Sequence, residues 1–174
     1  MKQFLVCATL EPTTTEATTT TEAATTTTIA TTTTVDPVVA AGTYYIESVT
    51  PLNCAGQATD PIWDEIEDEE GYISDTDWEQ IQSDLQPAYA VYAQAAVAFL
   101  EALSSYHWPE NVQADIEALM AEVSAEAAWA QAMSEAGTYA DFTTVNEETL
   151  DNRAAAIVRA KLNLPTNIGA TTDC

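Results

Sequence analysis

Trp78, Ile81, Leu85, Tyr89, Tyr92, Ala96, Phe99, Leu103 and Tyr106 recur at spacings of three and four. That period predicts an α-helix over Thr76 to Tyr106 with a single apolar stripe. At about 1.5 Å per residue the helix is roughly 45 Å long, and alone it would leave the rings of Trp78, Tyr89, Tyr92, Phe99 and Tyr106 in water. Partner helices are therefore required. Upstream, Tyr45, Val49, Leu52, Gly56, Thr59, Trp63 and Ile66 repeat the spacing, with Pro51 and Pro61 interrupting it. A proline inside a helix costs about 3 kcal/mol, so the first helix is expected to be kinked or broken, with Gly71 as its stop. Downstream, Val112, Ile116, Leu119, Val123, Ala127, Ala130 and Met133 form a third stripe that ends at Gly137. Leu150, Ala154, Ile157, Val158 and Leu162 form a fourth, stopped by Pro165.

Local signals set the expected boundaries. Thr76-Asp77-Trp78-Glu79 reads as a capping box for the second helix, which Pro87 should bend, and Thr144-Val145-Asn146-Glu147 reads as a box for the fourth. Pro109 takes the favoured first position of the third helix, directly after Tyr106-His107-Trp108, so those two helices form an antiparallel hairpin. No stretch alternates as a strand would. The expected fold is all-α, an up-down antiparallel helical bundle of about four helices over residues 43–165.

The first forty residues follow a different rule. Fifteen of the twenty-two residues from Thr13 to Thr34 are threonine, mixed with Ala and Glu and lacking apolar periodicity. Such a tract cannot bury enough apolar area to offset its ordering entropy, so residues 11–42 are read as a disordered Thr-rich stalk of the kind that spaces an exported domain from its anchor. Residues 1–10, MKQFLVCATL, hold one Lys before a short apolar run that ends at Cys7. The run is short for a signal peptide. The favoured reading is a remnant of an export signal or a lipoprotein anchor, with Cys7 as candidate lipidation site, against a run of no significance. No stretch of about 20 apolar residues offers a transmembrane span.

Charge narrows the classes further. Twenty-eight acids against four bases give −24, which leaves no cationic footprint for nucleic acid and disfavours an anionic membrane surface. Eleven acids and no base lie between Asp60 and Asp84, whereas Arg153, Arg159 and Lys161 share the last helix. A solvated acidic coat explains the excess most simply, with a cation-binding surface as the alternative. The terminal helix should be drawn onto acidic neighbours.

Three cysteines are an odd number. In an exported chain Cys54 and Cys174 are the natural disulfide pair, which leaves Cys7 for lipid or for removal; the alternative is two reduced thiols. The bridge would tie the 166–174 tail to the bundle. Metal and catalytic motifs are poor. With Gly71 at the sixth position of an EF-hand loop, Ile66 falls where the first carboxylate is required and Asp77 where Glu belongs. A looser divalent site from Asp68, Glu70, Asp75 and Asp77 is the remaining cation option. His107 is the only histidine, and without P-loop, HExxH, GxGxxG or GxSxG sequences no cofactor or triad chemistry is indicated. Trp129 lies off the main stripe of the third helix, so it is the aromatic residue to examine for exposure.

Three segments resemble a family: Tyr45-x-x-x-Val49-x-Pro51-x-Asn53, Trp108-Pro109-x-x-Val112-x-x-Asp115-Ile116-x-x-Leu119, and Arg159-x-x-Leu162-x-Leu164-Pro165. Together they are similar to a group of secreted proteins and lipoproteins of actinobacteria that carry a Thr-, Ser- or Pro-rich spacer before a helical domain. The resemblance spans roughly residues 43–165 and implies export and a helical fold. It implies no reaction and no site residue.

Three functional readings follow. The first is a non-enzymatic secreted or cell-envelope domain on a flexible stalk, a structural or interaction module for a protein or envelope component, with a filled core. The second is a binding protein for a small apolar ligand or divalent cations, which needs a cavity beside Trp129 or carboxylates converging between Asp68 and Asp77. The third, a carboxylate-based hydrolase, needs two close carboxylates in a cleft.

Overall fold

An Asp-Pro pair starts the first helix. Asp36 Oδ1 accepts the backbone N–H of Val38 at 2.8 Å, and Pro37 occupies a first-turn position where its missing N–H costs nothing. The computed structural model describes residues 36–66, 74–146, 153–168 and 174, and all the regular structure among them is helical. Cys7, the Thr-rich tract, Asp68, Glu70, Gly71, Glu147 and Leu150 lie outside the described residues. Helix α1 (Pro37–Gln57) buries Ala41, Gly42, Tyr45, Val49, Leu52 and Ala55. The first helix therefore begins six residues before Thr43, where the bundle was expected to open. Alanine and glycine at 40–42 look like a continuation of the leader, but the last segment of the chain packs on Gly42. A Cβ on Gly42 would lie 3.1 Å from Leu164 Cδ2.

Pro51 stays inside α1, and the break comes later. Thr59 closes α1 and opens α2 (Asp60–Ile66), its Oγ1 donating to the Gly56 carbonyl at 2.7 Å while its own carbonyl accepts from Ile62 and Trp63. Pro61 falls in the first turn of α2, where it is tolerated.

The central rod is built from three pieces. After a 3₁₀ turn (Asp75–Asp77) come one α-turn, α3 (Trp78–Gln80), a π-turn (Ile81–Leu85) and helix α4 (Gln86–Ser105). The capping contact lies earlier than expected: Asp77 Oδ2 reaches back to the Ser74 N–H at 2.9 Å, so Ser74 replaces Thr76 at the start of the box. Gln86 N–H bonds to the Ile81 carbonyl five residues back, which winds the segment as a π-turn just before Pro87. The extra residue lets Pro87 sit in the first turn of α4 instead of bending a continuous helix. Gln86 also donates through Nε2 to the Ala136 carbonyl at 2.8 Å, tying the start of α4 to the end of its neighbour.

Helix α5 (Gln113–Glu135) follows after a reverse turn. Pro109 opens that turn, its carbonyl accepting from Val112, and does not open the helix itself. Trp108 is buried there, with Nε1 donating to the Leu103 carbonyl at 2.7 Å. All seven residues of the expected α5 stripe are buried.

The region after Gly137 departs most from expectation. Residues Tyr139–Asn146 form a helix of their own, α6, capped by Thr138, whose Oγ1 accepts from the Asp141 N–H and donates to the Asp141 carboxylate. Thr144 is inside α6, with Oγ1 donating to the Ala140 carbonyl, and so opens nothing. Phe142 is fully buried. Helix α7 (Arg153–Lys161) then buries Ala154 and Val158, followed by Leu162, while Ile157 faces solvent against the expected stripe. Asn163, at φ 56°, stops α7 two residues before Pro165. The Leu164 N–H returns to the Arg159 carbonyl and the Asn163 N–H to that of Ala160, the double bond pattern of a Schellman cap. That cap turns Leu164 onto Gly42, and Ile168 beyond it is also buried, so the core continues past residue 165.

The four rods α1, α4, α5 and α7 run alternately up and down. Tyr44, near the start of α1, donates to the Ala102 carbonyl near the end of α4; Lys161, at the end of α7, pairs with Asp115 near the start of α5 at 2.5 Å. The apolar interior forms two clusters. One gathers Tyr45, Phe99, Leu103, Trp108, Ile116 and Val158 among α1, α4, α5 and α7; the other gathers Ile81, Leu85, Tyr89, Met133 and Phe142 among α2 to α6. Cys54 and Cys174 are joined by a disulfide with Cα atoms 5.4 Å apart.

Two stability measurements test this architecture. The bridge spans 120 residues, so Cys54→Ser should lower the unfolding free energy by up to about 4–5 kcal/mol in denaturant titrations, and a non-reducing peptide map should show the linked pair. Phe142→Ala should cost about 3–5 kcal/mol, the range for emptying a buried aromatic site. A loss near zero would mean that α6 does not seal the second cluster.

Candidate site: a polar cleft between the two core clusters

Helix α5 has 23 residues and α7 has nine, so the two cannot pair along their full lengths. α7 lies against the first half of α5, and α6 against its end through the Trp129 Nε1 bond to the Val145 carbonyl at 3.0 Å. Between them the side of α5 that faces α1 is open. A cleft of about 960 Å³ results, with α1 residues Tyr45, Val49, Leu52 and Gly56 facing α5 residues Leu119, Glu122, Glu126 and Trp129. Tyr92 and Phe99 of α4 form its floor, Arg159 of α7 stands toward one end, and Asp60 of α2 toward the other.

The polar groups in this cleft are constrained. Both Glu122 oxygens accept the Ala154 N–H at 2.9 Å, which satisfies an N–H at the start of α7 and places a negative charge where the helix dipole favours one. Tyr92 donates its hydroxyl to Glu126. Burial raises the Glu126 carboxyl above the usual carboxylate range; the Tyr92 hydrogen bond opposes that shift and the Glu122 charge adds to it. Tyr92 is itself pushed well up by burial and then by the Glu126 charge. The Tyr45 hydroxyl is also raised by burial, and the Arg159 guanidinium partly offsets the rise. Arg159 Nε is shielded from solvent with no hydrogen-bond partner among the described residues.

Gly56 contributes by what it lacks. A Cβ there would stand 3.2 Å from Tyr92 Cε2, so the glycine admits the Tyr92 ring against α1. Below it, Tyr89 meets Trp129 edge-on, centroids 5.2 Å apart, and its hydroxyl accepts from Trp63 Nε1 at 3.1 Å.

The residues singled out in the sequence are dispersed. Trp129 lies at the cleft, half-buried, and Cys54 and Cys174 are bridged. Asp77 is engaged in its own turn, and His107 is exposed in the α4–α5 connection. No group of three or more His, Cys, Asp or Glu side chains among the described residues is placed to hold a metal ion. No described helix is long and apolar enough to cross a membrane. Glu122, Glu126, Tyr92 and Arg159 were not anticipated. Their signal was present as a second stripe on α5, Glu122, Glu126 and Trp129 at i, i+4 and i+7, beside the apolar one. Comparison with protein-family models, with curated proteins and with solved structures finds no match to the chain.

Because the folded pKa of Glu126 lies above its unfolded value, the folded state holds this proton more tightly. Its contribution to stability is present below the unfolded carboxylate range and is lost as pH rises through the raised value. Glu126→Gln, which keeps an acceptor for Tyr92, should match the wild type near about pH 4 and exceed it in stability near about pH 7. Paired denaturant titrations at the two pH values check this; a variant less stable at the higher pH would contradict it.

Proposed function

We propose that this chain is a non-catalytic binding domain, exported or held at the cell envelope, whose cleft takes a small amphipathic molecule. The observation that carries the reading is the cleft itself. Its volume, about 960 Å³, is of the size that holds drug-like ligands, and it combines apolar walls with a few convergent polar groups. This is the cavity beside Trp129 that a binding protein needs, and a module with a filled core would lack it. The Cys54–Cys174 bridge supports the exported location, since such bonds persist in oxidising compartments. The Thr-rich tract would then serve as a spacer, with Cys7 as a candidate anchor.

The hydrolase reading is weaker. Glu122 and Glu126 share one wall, a turn apart on α5, whereas an acid and a base or nucleophile must flank the bond they cleave. Glu122 is moreover committed to the Ala154 N–H.

A ligand of the native state raises its melting temperature, by an amount equivalent to about 2.7 kcal/mol at a hundredfold excess over Kd. The full chain should show a saturable rise with at least one member of a set of six-carbon amphiphiles bearing neutral, cationic or anionic heads, accompanied by a change in tryptophan fluorescence. No saturable shift with any member would overturn the binding assignment.

A further inference from the structure

Beside the main cleft a smaller recess of about 230 Å³ opens among Gly56, Thr59, Asp60, Tyr89, Tyr92 and Trp129. Gly56, Asp60, Tyr92 and Trp129 line both spaces, so the recess is a branch of the cleft. Three of its six lining residues are aromatic. Tyr89 stands nearly perpendicular to both other rings, at 88° to Trp129 with centroids 5.2 Å apart and at 79° to Tyr92 with centroids 6.4 Å apart. Tyr89 is 4 % exposed and braces the other two rings, so the ring surface open to the recess belongs chiefly to the half-buried Tyr92 and Trp129, and aromatic faces carry negative electrostatic potential. Asp60 adds a carboxylate at the exposed first residue of α2, and no lysine or arginine lines the recess.

From this arrangement we infer that the recess is a subsite for a quaternary alkylammonium head group. Tyr89, Tyr92 and Trp129 form its walls, Asp60 is its counter-charge, and the rest of the ligand lies along the apolar side of the main cleft. The inference rests on the binding function proposed above and specifies the ligand for it.

Alternatives fit the recess less well. One carboxylate among aromatic rings is too sparse a donor set for a divalent ion, which takes six or more oxygens in the case of calcium. An anion would meet ring faces and Asp60. Arg159, the cation of the main cleft, is not among the residues that line the recess. The chain's net charge of −24 also favours the approach of cations from solution.

The test compares choline with its neutral isostere 3,3-dimethyl-1-butanol on the full-length protein by calorimetric titration, with potassium chloride matched for ionic strength and hexyltrimethylammonium as a longer probe. Choline should bind roughly tenfold or more tightly than the neutral alcohol, and hexyltrimethylammonium more tightly again. Asp60→Asn, at an exposed position that should not disturb folding, should weaken choline about five- to tenfold and leave the alcohol unchanged. Trp129→Leu, with circular dichroism to confirm the fold, should remove most of the preference. Equal binding of alcohol and choline, or choline binding untouched by both substitutions, would overturn the ammonium subsite while the cleft keeps its binding role. If neither choline nor the hexyl probe binds but a neutral or anionic amphiphile does, the subsite alone fails; if nothing binds, both assignments fail.

Discussion

The apolar seam along α5 is longer than either of the helices that follow it. From Ile116 to Met133 every third or fourth residue is buried, and leaving such side chains in water would forgo about 1.5–3 kcal/mol for each larger one. α7 with nine residues and α6 with eight can each cover only part of it. The rest of the molecule follows from that division. One cluster of the core is closed by α7 and the other by α6, and the cleft opens along α5 between them, bounded by α7 where Glu122 meets Ala154 and by α6 where Trp129 meets Val145. The seam itself packs chiefly on α4; what opens is the flank toward α1, and this flank carries Glu122, Glu126 and Trp129.

That flank is expensive to maintain. A carboxyl held above its ordinary pKa by burial gives up stability whenever it ionises, and the Tyr92 hydroxyl beside it offsets only part of the loss. Arg159 Nε, shielded and without a partner among the described residues, adds a further cost. Strained electrostatics of this kind concentrate where proteins bind or react, because a group left under-satisfied in the free protein can be satisfied by a ligand. The aromatic recess next to it shows the complementary feature, a wall of rings with one charge at its edge. The Schellman turn at Asn163 seats Leu164 on Gly42 of α1, which ties the end of α7, and with it Arg159, beside the cleft.

Much of the helical framework was legible because burial imposes a period that the local sequence must repeat. The stripes of α1, α4 and α5 lie in the interior nearly as their spacing requires, and the Cys54–Cys174 bridge is the one of two open outcomes, bridge or reduced thiols, that an exported chain favours. Errors concentrate at boundaries. Residues 40–42 are small and resemble the leader, yet Gly42 meets Leu164, far along the chain. Tyr139, Phe142 and Val145 recur every third residue, but over too few turns between Gly137 and the expected box at Thr144 to stand out as a helix; the burial of Phe142 depends on Trp63 and Trp78, with ring centroids 6.0 and 6.1 Å away. Two threonine boxes were misplaced because a four-residue pattern that can cap a helix also occurs where the chain is already turning, Thr76 in the 3₁₀ turn and Thr144 within α6.

The sequence by itself determined that this is an all-helical chain with alternating rods, a thiol pair and a strongly acidic character, since each of these depends on residue type and spacing alone. Tertiary structure decided where the covering helices end, and hence that a cleft exists and which side chains face it. Glu126 on a helix is an ordinary surface carboxylate until something determines whether a neighbour covers it, and that depends on the relative lengths and registers of α5, α6 and α7. Those are long-range packing outcomes, set by the summed fit of many side chains, and no short stretch of sequence encodes them.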